Sequence, residues 1–334
     1  MAEPHFLESF GALVSSLTSS VQAGCPTFVL VDPLMGEPIS VQNTIDPGEL
    51  QILTQAREQA WSRPVHVIKL AQEIELPLQL HPYLVELEGA ADPWLVETAE
   101  IACAERTEAQ ADGVASSGHA AHRIGGWLQS SQGSCELTQT LSGMMRVNTE
   151  ATTKARYQRM ADRRVVDLLR QVVGDTRVAA QFGRIQRWCY LDACGDMAQL
   201  QSSNEVITPL RLSRNEWIRF MKGELLHPTV ARWLGERARQ SGQSNVGAPD
   251  ARTLYAQANA ALDRVETATR RWPLRFAGSA DRVAWAVLIL LYPGIEQRPD
   301  VLDLLNATAE PDEPTETLHA LSPMLNSLQL KATS

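Results

Sequence analysis

The chain has 334 residues, is 44% hydrophobic and 21% charged, and carries a formal net charge of −9. That much apolar side chain offsets the entropy of ordering the backbone, which excludes a largely disordered protein. A diffuse acidic balance opposes adhesion to nucleic acid or anionic membrane, since both depend on Lys and Arg neutralising phosphate, so neither is expected as a partner.

In chain order, Phe6, Phe10, Leu13, Val14, Leu17 and Val21 recur at helical spacing and predict an amphipathic helix over 5–23. Thr27 to Val31 is a short β-branched run closed by Asp32-Pro33, the pattern of a buried strand and a turn. Residues 47–60 read as a helix with Asp46 as N-cap and Pro47 in the first turn. Val65–Leu70 and Tyr83–Leu87 read as strands. Asp92-Pro93 opens a helix to about Arg106, and the polar, small-residue run 107–122 reads as a surface loop. A strand over 124–128 and a helix from Ser134 (its expected N-cap) to Met145 follow. A strand pair is expected between Arg146 and Met160, and a helix from Asp162 to Val173. Arg184–Leu191 alternates with period two on both faces, so both are expected to be covered. Asp192 to Asp196 fits a hairpin turn, because Asp tolerates turn geometry and Gly195 supplies positive φ. Beyond residue 205, helical patterns dominate at 213–240, 250–272, 280–292 and 299–308, with a Gly/Ser/Asn/Pro-rich break at 241–249.

The expected architecture is α+β or α/β. A mixed lobe over 1–205, a β-sheet flanked by helices, precedes an all-α lobe over 206–310. A loose acidic tail is expected over 311–334. No leader pattern opens the chain, and its greasiest run, Val283–Tyr292, is too short to span a bilayer as a helix.

Motifs for phosphate loops, dinucleotide folds, zinc proteases and serine hydrolases are absent from the sequence. Cys25, Cys103, Cys135, Cys189 and Cys194 are scattered, odd in number and without a C-x-x-C pair, so buried free thiols of a reducing compartment are expected. No metal or other cofactor is expected. His119 and His122 stand three apart but lack a third ligand nearby, and His81-Pro82 reads as a turn before a strand. Asp192, Cys194 and Asp196 alternate as an open metal or nucleophile site would, though the hairpin reading is simpler. Lys154, Arg156, Arg159, Arg163 and Arg164 form the one basic cluster, with Glu86, Glu88 and Asp92 as candidate counterparts. Among eight tryptophans, Trp285 reads as core, and Trp272, before Pro273 at a helix end, is the candidate exposed anchor.

Several segments, in order, carry a family resemblance. They are His81-Pro82-Tyr83-Leu84-Val85-Glu86-Leu87, then Gly126-Trp127-Leu128-Gln129-Ser130 with the helix from Ser134, and Arg159-Met160-Ala161-Asp162-Arg163-Arg164-Val165-Val166. Phe182-Gly183-Arg184-Ile185-Gln186-Arg187-Trp188 follows, and last Ala284–Tyr292 with Arg298-Pro299-Asp300-Val301. Together they resemble the type VI secretion effector adaptors, the Tap or Tec proteins. In that family the third segment is R-F-Y-D-P-R-V-L, matched here at Arg159, Asp162, Arg164 and Val165. Arg163 stands where the family has Pro, and Met160-Ala161 where it has Phe-Tyr. The resemblance implies a cytoplasmic, non-catalytic chaperone that binds the N-terminal delivery region of an effector and loads it onto the VgrG spike. Arg159, Asp162 and Arg164, with Trp272, are the residues expected to shape protein binding. An intramolecular salt-bridge network is the competing reading of the first three. The alternatives in function are a small hydrolase or transferase built around Asp192, Cys194 and the His119/His122 loop, and an immunity protein that neutralises a toxin.

Overall fold

The computed structural model describes residues 4–41, 50–111, 121–150, 155–202, 206–241 and 250–306. The expected Asp46-Pro47 cap, most of the 107–122 loop with His119, the 242–249 break and the 311–334 tail lie outside those residues. The elements in order are α1 (Pro4–Ser20), β1 (Thr27–Val31), α2 (Leu50–Trp61), β2 (Val65–Val67), β3 (Tyr83–Leu87), α3 (Pro93–Ala109), β4 (Ile124–Ser130) and α4 (Ser134–Met144). Next come β5 (Arg146–Thr149), β6 (Arg156–Tyr157), α5 (Arg163–Val173), α6 (Asp175–Ala179), β7 (Ile185–Leu191), β8 (Met197–Gln201) and β9 (Arg211–Leu212). The remainder is helical: α7 (Arg214–Met221), α8 (Gly223–Ser241), α9 (Ala251–Arg271), α10 (Ser279–Leu291) and α11 (Pro299–Asn306).

Six strands form one sheet in the order β2-β3-β1-β4-β7-β8, with every neighbouring pair antiparallel. The fold is therefore α+β: a sheet with helices in the N-terminal part and a helical C-terminal part. Both faces of the sheet are covered. Side-chain alternation sends Phe28, Leu30, Leu84, Leu128 and Trp188 into one apolar cluster with Leu137, Leu141, Val166 and Leu169 of α4 and α5. It sends Val29, Val31, Val85, Trp127 and Cys189 into another with Leu13, Trp61, Leu95 and Ala99 of α1, α2 and α3. That two-sided burial is why the strands read as near-continuous apolar runs.

Gly125 and Gly126 are what let β4 sit at the centre. A Cβ on Gly125 would lie 2.2 Å from the Ala161 carbonyl oxygen. One on Gly126, at φ +135°, would lie 2.4 Å from the Cys189 carbonyl oxygen. Ala161, the residue before Asp162, is thus seated directly on the strand. A second irregularity falls between Gln129 and Ser130 in the pairing of β4 with β7. The bulge turns Ile185 to the same cluster as Trp188 and Tyr190, where strict alternation predicts the side of Cys189.

Other differences from the sequence reading are local. The N-cap of α4 is Gly133 and not Ser134. Residues 107–109 continue α3 instead of opening the loop. The predicted helix over 213–240 is two helices parted at Lys222, whose carbonyl accepts from both Leu225 and Leu226. The short elements α6 and β9 were without a sequence signal, and β9 pairs parallel with β5.

Two compact units emerge: Met1–Thr107 with Ala121–Met221, and Glu108–Ala120 with Lys222–Ser334. Within the second, α9 buries Leu254, Tyr255, Ala258, Ala261, Leu262, Val265 and Ala268 on one face, at the spacing an amphipathic helix requires. Its N-cap is Asp250, whose carboxylate accepts from the Thr253 backbone N–H at 2.9 Å. Trp285 of α10 is fully buried, as its greasy surroundings predict.

Candidate functional site

The three residues singled out between β6 and α5 converge. Asp162 precedes the periodic run of α5 in extended conformation and caps the helix, Oδ1 accepting from the Arg164 backbone N–H at 3.0 Å. Its Oδ2 accepts from the Arg164 guanidinium at 2.7 Å and lies 3.7 Å from Nη1 of Arg159. Arg159 in turn donates through Nε to Asp32, the residue that closes β1. Asp32 Oδ1 accepts from the Leu34 N–H at 3.0 Å, and its own N–H donates to the Arg123 carbonyl. One ion network thus joins the end of a central strand to the start of a helix.

The electrostatics follow from that arrangement. Burial alone would raise the Asp162 carboxyl, but Arg164, by charge and hydrogen bond, with His122 and Arg159, outweighs it and holds the group well below the usual carboxylate range. Asp32 is driven the other way, because its burial outweighs the opposing Arg159 guanidinium. Burial, with Asp32 adding to it, pushes the Tyr157 phenol up as well. Nη2 of Arg159 is buried without a hydrogen-bond partner among the described residues.

Arg163, at the first helical position, points away from this network. Its guanidinium is 3% exposed and donates to Glu105 Oε2 at 2.9 Å, to the Ile124 carbonyl at 2.8 Å and to the Ala102 carbonyl at 2.9 Å. Pro favours that position by fixing φ. Arg gives up that advantage and instead ties α5 to α3 and β4. Glu105 also accepts from the backbone N–H and Nε of Arg123, both at 2.9 Å.

The candidate acidic counterparts of the arginine cluster are engaged elsewhere. Glu88 and Asp92 pair with Arg63, and Glu86 with His66. The true counterparts, Asp32 and Glu105, were missed. Both are far away in sequence, and only Asp32, placed at a strand end, carried a local signal, which was that of a turn.

Asp192, Cys194 and Asp196 do come together, with one ligand atom from each lying within 4.8 Å of the others. Their hydrogen bonding is that of a hairpin turn. Asp192 Oδ1 accepts from the N–H groups of Cys194 at 2.8 Å and Asp196 at 3.0 Å, and Gly195, at φ +88°, donates to the Asp192 carbonyl. The Arg106 guanidinium stacks against Gly195 and donates to the Cys194 carbonyl. Burial, with the charges of Asp167 and Asp196, pushes the Asp192 carboxyl up to about 7. Burial and the same carboxylates push the Cys194 thiol up to about 12. A protonated thiol is neither a good nucleophile nor a good metal ligand, and the adjacent guanidinium opposes a cation.

The other singled-out residues have local partners. His81 is buried before β3, its ring between the Leu70 N–H and the Leu76 carbonyl. His122 is buried near Asp162. Trp272 is half-buried at the end of α9, donating to Asn306 at 2.9 Å with the Arg271 guanidinium 4.5 Å above its ring. None of the five cysteines is in a disulfide, and only Cys103 and Cys189 are buried, while Cys135 is exposed and Cys25 and Cys194 are half-buried. Among the described residues no helix is long and apolar enough to cross a membrane. No family model, no curated protein and no solved structure matches the chain.

Proposed function

We propose that the chain is an effector adaptor of type VI secretion. It is a cytoplasmic, non-catalytic protein that holds the delivery region of a toxic effector and presents it to the VgrG spike. The observation that carries the reading is where the resembling segments fall. Tyr83–Leu87, Gly126–Ser130 and Ile185–Trp188 lie in β3, β4 and β7 of one sheet, and Arg159–Val166 forms the capped entry to α5 seated on β4. Pieces scattered over a hundred residues of sequence belong to one packed block, as a shared core would require. The cap residues Arg159, Asp162 and Arg164 act in this reading by fixing that block, so the competing expectation of an intramolecular network is the one their geometry favours. The raised Cys194 thiol supports binding over nucleophilic chemistry at the hairpin.

Co-expression of the chain with the effector and VgrG encoded beside it tests the reading. A complex stable through two chromatographic steps is expected, together with loss of effector solubility or loading when the chain is withheld. If neither protein is retained although both are folded and soluble, the reading is wrong. Truncation of the effector separates this role from toxin neutralisation: an adaptor retains the delivery region, an immunity protein the toxic domain.

A further inference from the structure

Seven large apolar side chains are well exposed among the described residues, and four of them, Val206, Ile207, Ile218 and Met221, fall within sixteen residues. Val206 is 66% and Ile218 50% exposed. On α7, Arg214, Ile218 and Met221 stand at helical spacing along one exposed stripe, while Trp217 and Phe220, on the adjoining stripe, pack on the sheet's apolar cluster. Both apolar pairs rest on the same support. The Thr208 N–H donates to the Ala180 carbonyl at 2.7 Å, Arg177 donates to the Arg211 carbonyl at 2.8 Å and to Glu216, and Arg219 donates to the Gln171 carbonyl at 3.2 Å.

The net charge on this rim is positive. Residues 206–221 hold three arginines and one carboxylate in a chain of net charge −9. That carboxylate, Glu216, is taken by Arg177, and the neighbouring Asp175 by Arg170. Arg211 and Arg214 are exposed and have no ion pair among the described residues. Exposed apolar residues flanked by uncompensated guanidinium groups mark a polypeptide interface more than a solvated face.

We infer that the rim formed by residues 206–221 is the docking surface for an acidic amphipathic segment of the cargo effector, apolar side chains on Val206, Ile207, Ile218 and Met221 and carboxylates on Arg211 and Arg214. Charge complementarity selects this occupant, which rests on the adaptor reading. Arg pairs bidentately with carboxylates, and such contacts steer association.

The test uses the full chain co-expressed with its neighbouring effector, with a photoreactive benzoylphenylalanine placed at Ile218. Cross-linking into an acidic stretch of the effector is expected. In parallel, I218D/M221D and R211E/R214E should each lower captured effector at least tenfold, while V96D, exposed on α3, retains it. Circular dichroism should show all three folded. Capture by the unmodified chain should weaken in 0.5 M salt. A cross-link to a second copy of the chain, to its own residues 307–334, or to nothing while the complex forms overturns the inference and leaves the adaptor reading standing. So does undiminished capture by both rim variants. No capture by the unmodified chain overturns both.

Discussion

Asp162 and Asp192 perform the same local task in opposite fields. Each follows a strand or an extended segment and lends one carboxylate oxygen to backbone N–H groups just after it, one opening a helix and one closing a hairpin. Around Asp162 stand Arg159, Arg164 and His122, and its carboxyl is held far down. Around Asp192 stand Asp167 and Asp196, and its carboxyl rises to about 7. Local sequence selects the side chain for its reach to the backbone, and distant residues decide its charge. At neutral pH the first aspartate ties the fold together, whereas the second opposes it unless protonated.

The largest expected effect is on the arginine side. Replacing Asp162 with Ala removes the cap of α5 and takes a buried carboxylate away from the Arg164 and Arg159 guanidinium groups, so a loss of about 3–5 kcal/mol is expected, as when one partner of a buried pair is deleted. Urea unfolding followed by circular dichroism measures it. Asp162→Asn keeps an oxygen for the Arg164 N–H and should cost less, which separates the charge from the cap. If the two variants lose equal stability, the network adds nothing beyond capping. The pH direction is fixed too. A carboxyl depressed in the folded state gives stability that is present above the ordinary carboxylate range and is lost as pH falls through its lower folded value. The Asp162→Asn variant should therefore unfold in acid with a shallower pH dependence than the unmodified chain.

The next effect tests whether Arg163 serves the same junction. Among the described residues, Glu105→Ala leaves that guanidinium, 3% exposed, with two carbonyls as acceptors. A loss of about 3 kcal/mol is expected, at the lower end for a broken buried pair because the carbonyl bonds persist. Arg163→Pro, which fixes φ at the first turn, should cost less than Glu105→Ala only if Glu105 keeps Arg123 as its partner. Comparing the two thermal midpoints decides this.

How much of this was legible in the sequence depends on distance along the chain. The helix at Asp162 was legible because its apolar run has a period near 3.6, although Asp162 caps that helix and is not its first residue. Strands β1 and β3 were legible because burial on both faces leaves nearly continuous apolar runs, TFVLV and YLVEL, broken in the second only by Glu86. The hairpin at Asp192 to Asp196 was legible from turn chemistry. What charges these aspartates meet was not. Asp32 lies 127 residues from Arg159, and Glu105 lies 58 residues from Arg163. Charge runs name the cation and leave the carboxylate open, which is why Glu86, Glu88 and Asp92 stood in for the real partners. The bulge that turns Ile185 over left no residue signature either, since it depends on how β4 and β7 register. Strand β9, two residues long, owes its pairing to Asn148 and Thr149 of β5.

On the carboxylate side a smaller effect of opposite sign is expected. A carboxyl raised in the folded state gives stability that is fully present below its unfolded value near 4 and is lost as pH rises through about 7. Asp192→Asn keeps an acceptor for the two backbone N–H groups and removes the charge. Its stability relative to the unmodified chain should climb between pH 4 and pH 7 and level off above, by roughly 1–2 kcal/mol after allowing for solvent screening of a half-buried turn. A difference that is flat with pH would show that Asp167 and Asp196 do not act on this group.

The same substitution sharpens the comparison at the thiol beside it, where the readout is reactivity and not stability. Alkylation needs the thiolate, and Cys194 is held protonated by burial and by Asp192, Asp196 and Asp167, up to about 12. At pH 8, iodoacetamide should modify the exposed Cys135 first, with Cys194 slower by about a hundredfold or more, as its small thiolate fraction dictates. Peptide mass spectrometry reads both rates in one sample. Asp192→Asn removes the carboxylate with the largest effect of the three, so Cys194 should become more reactive while Cys135 is unchanged. Equal acceleration at both would mean that the hairpin had opened, and no acceleration at Cys194 would mean that access, and not the carboxylate field, protects this thiol.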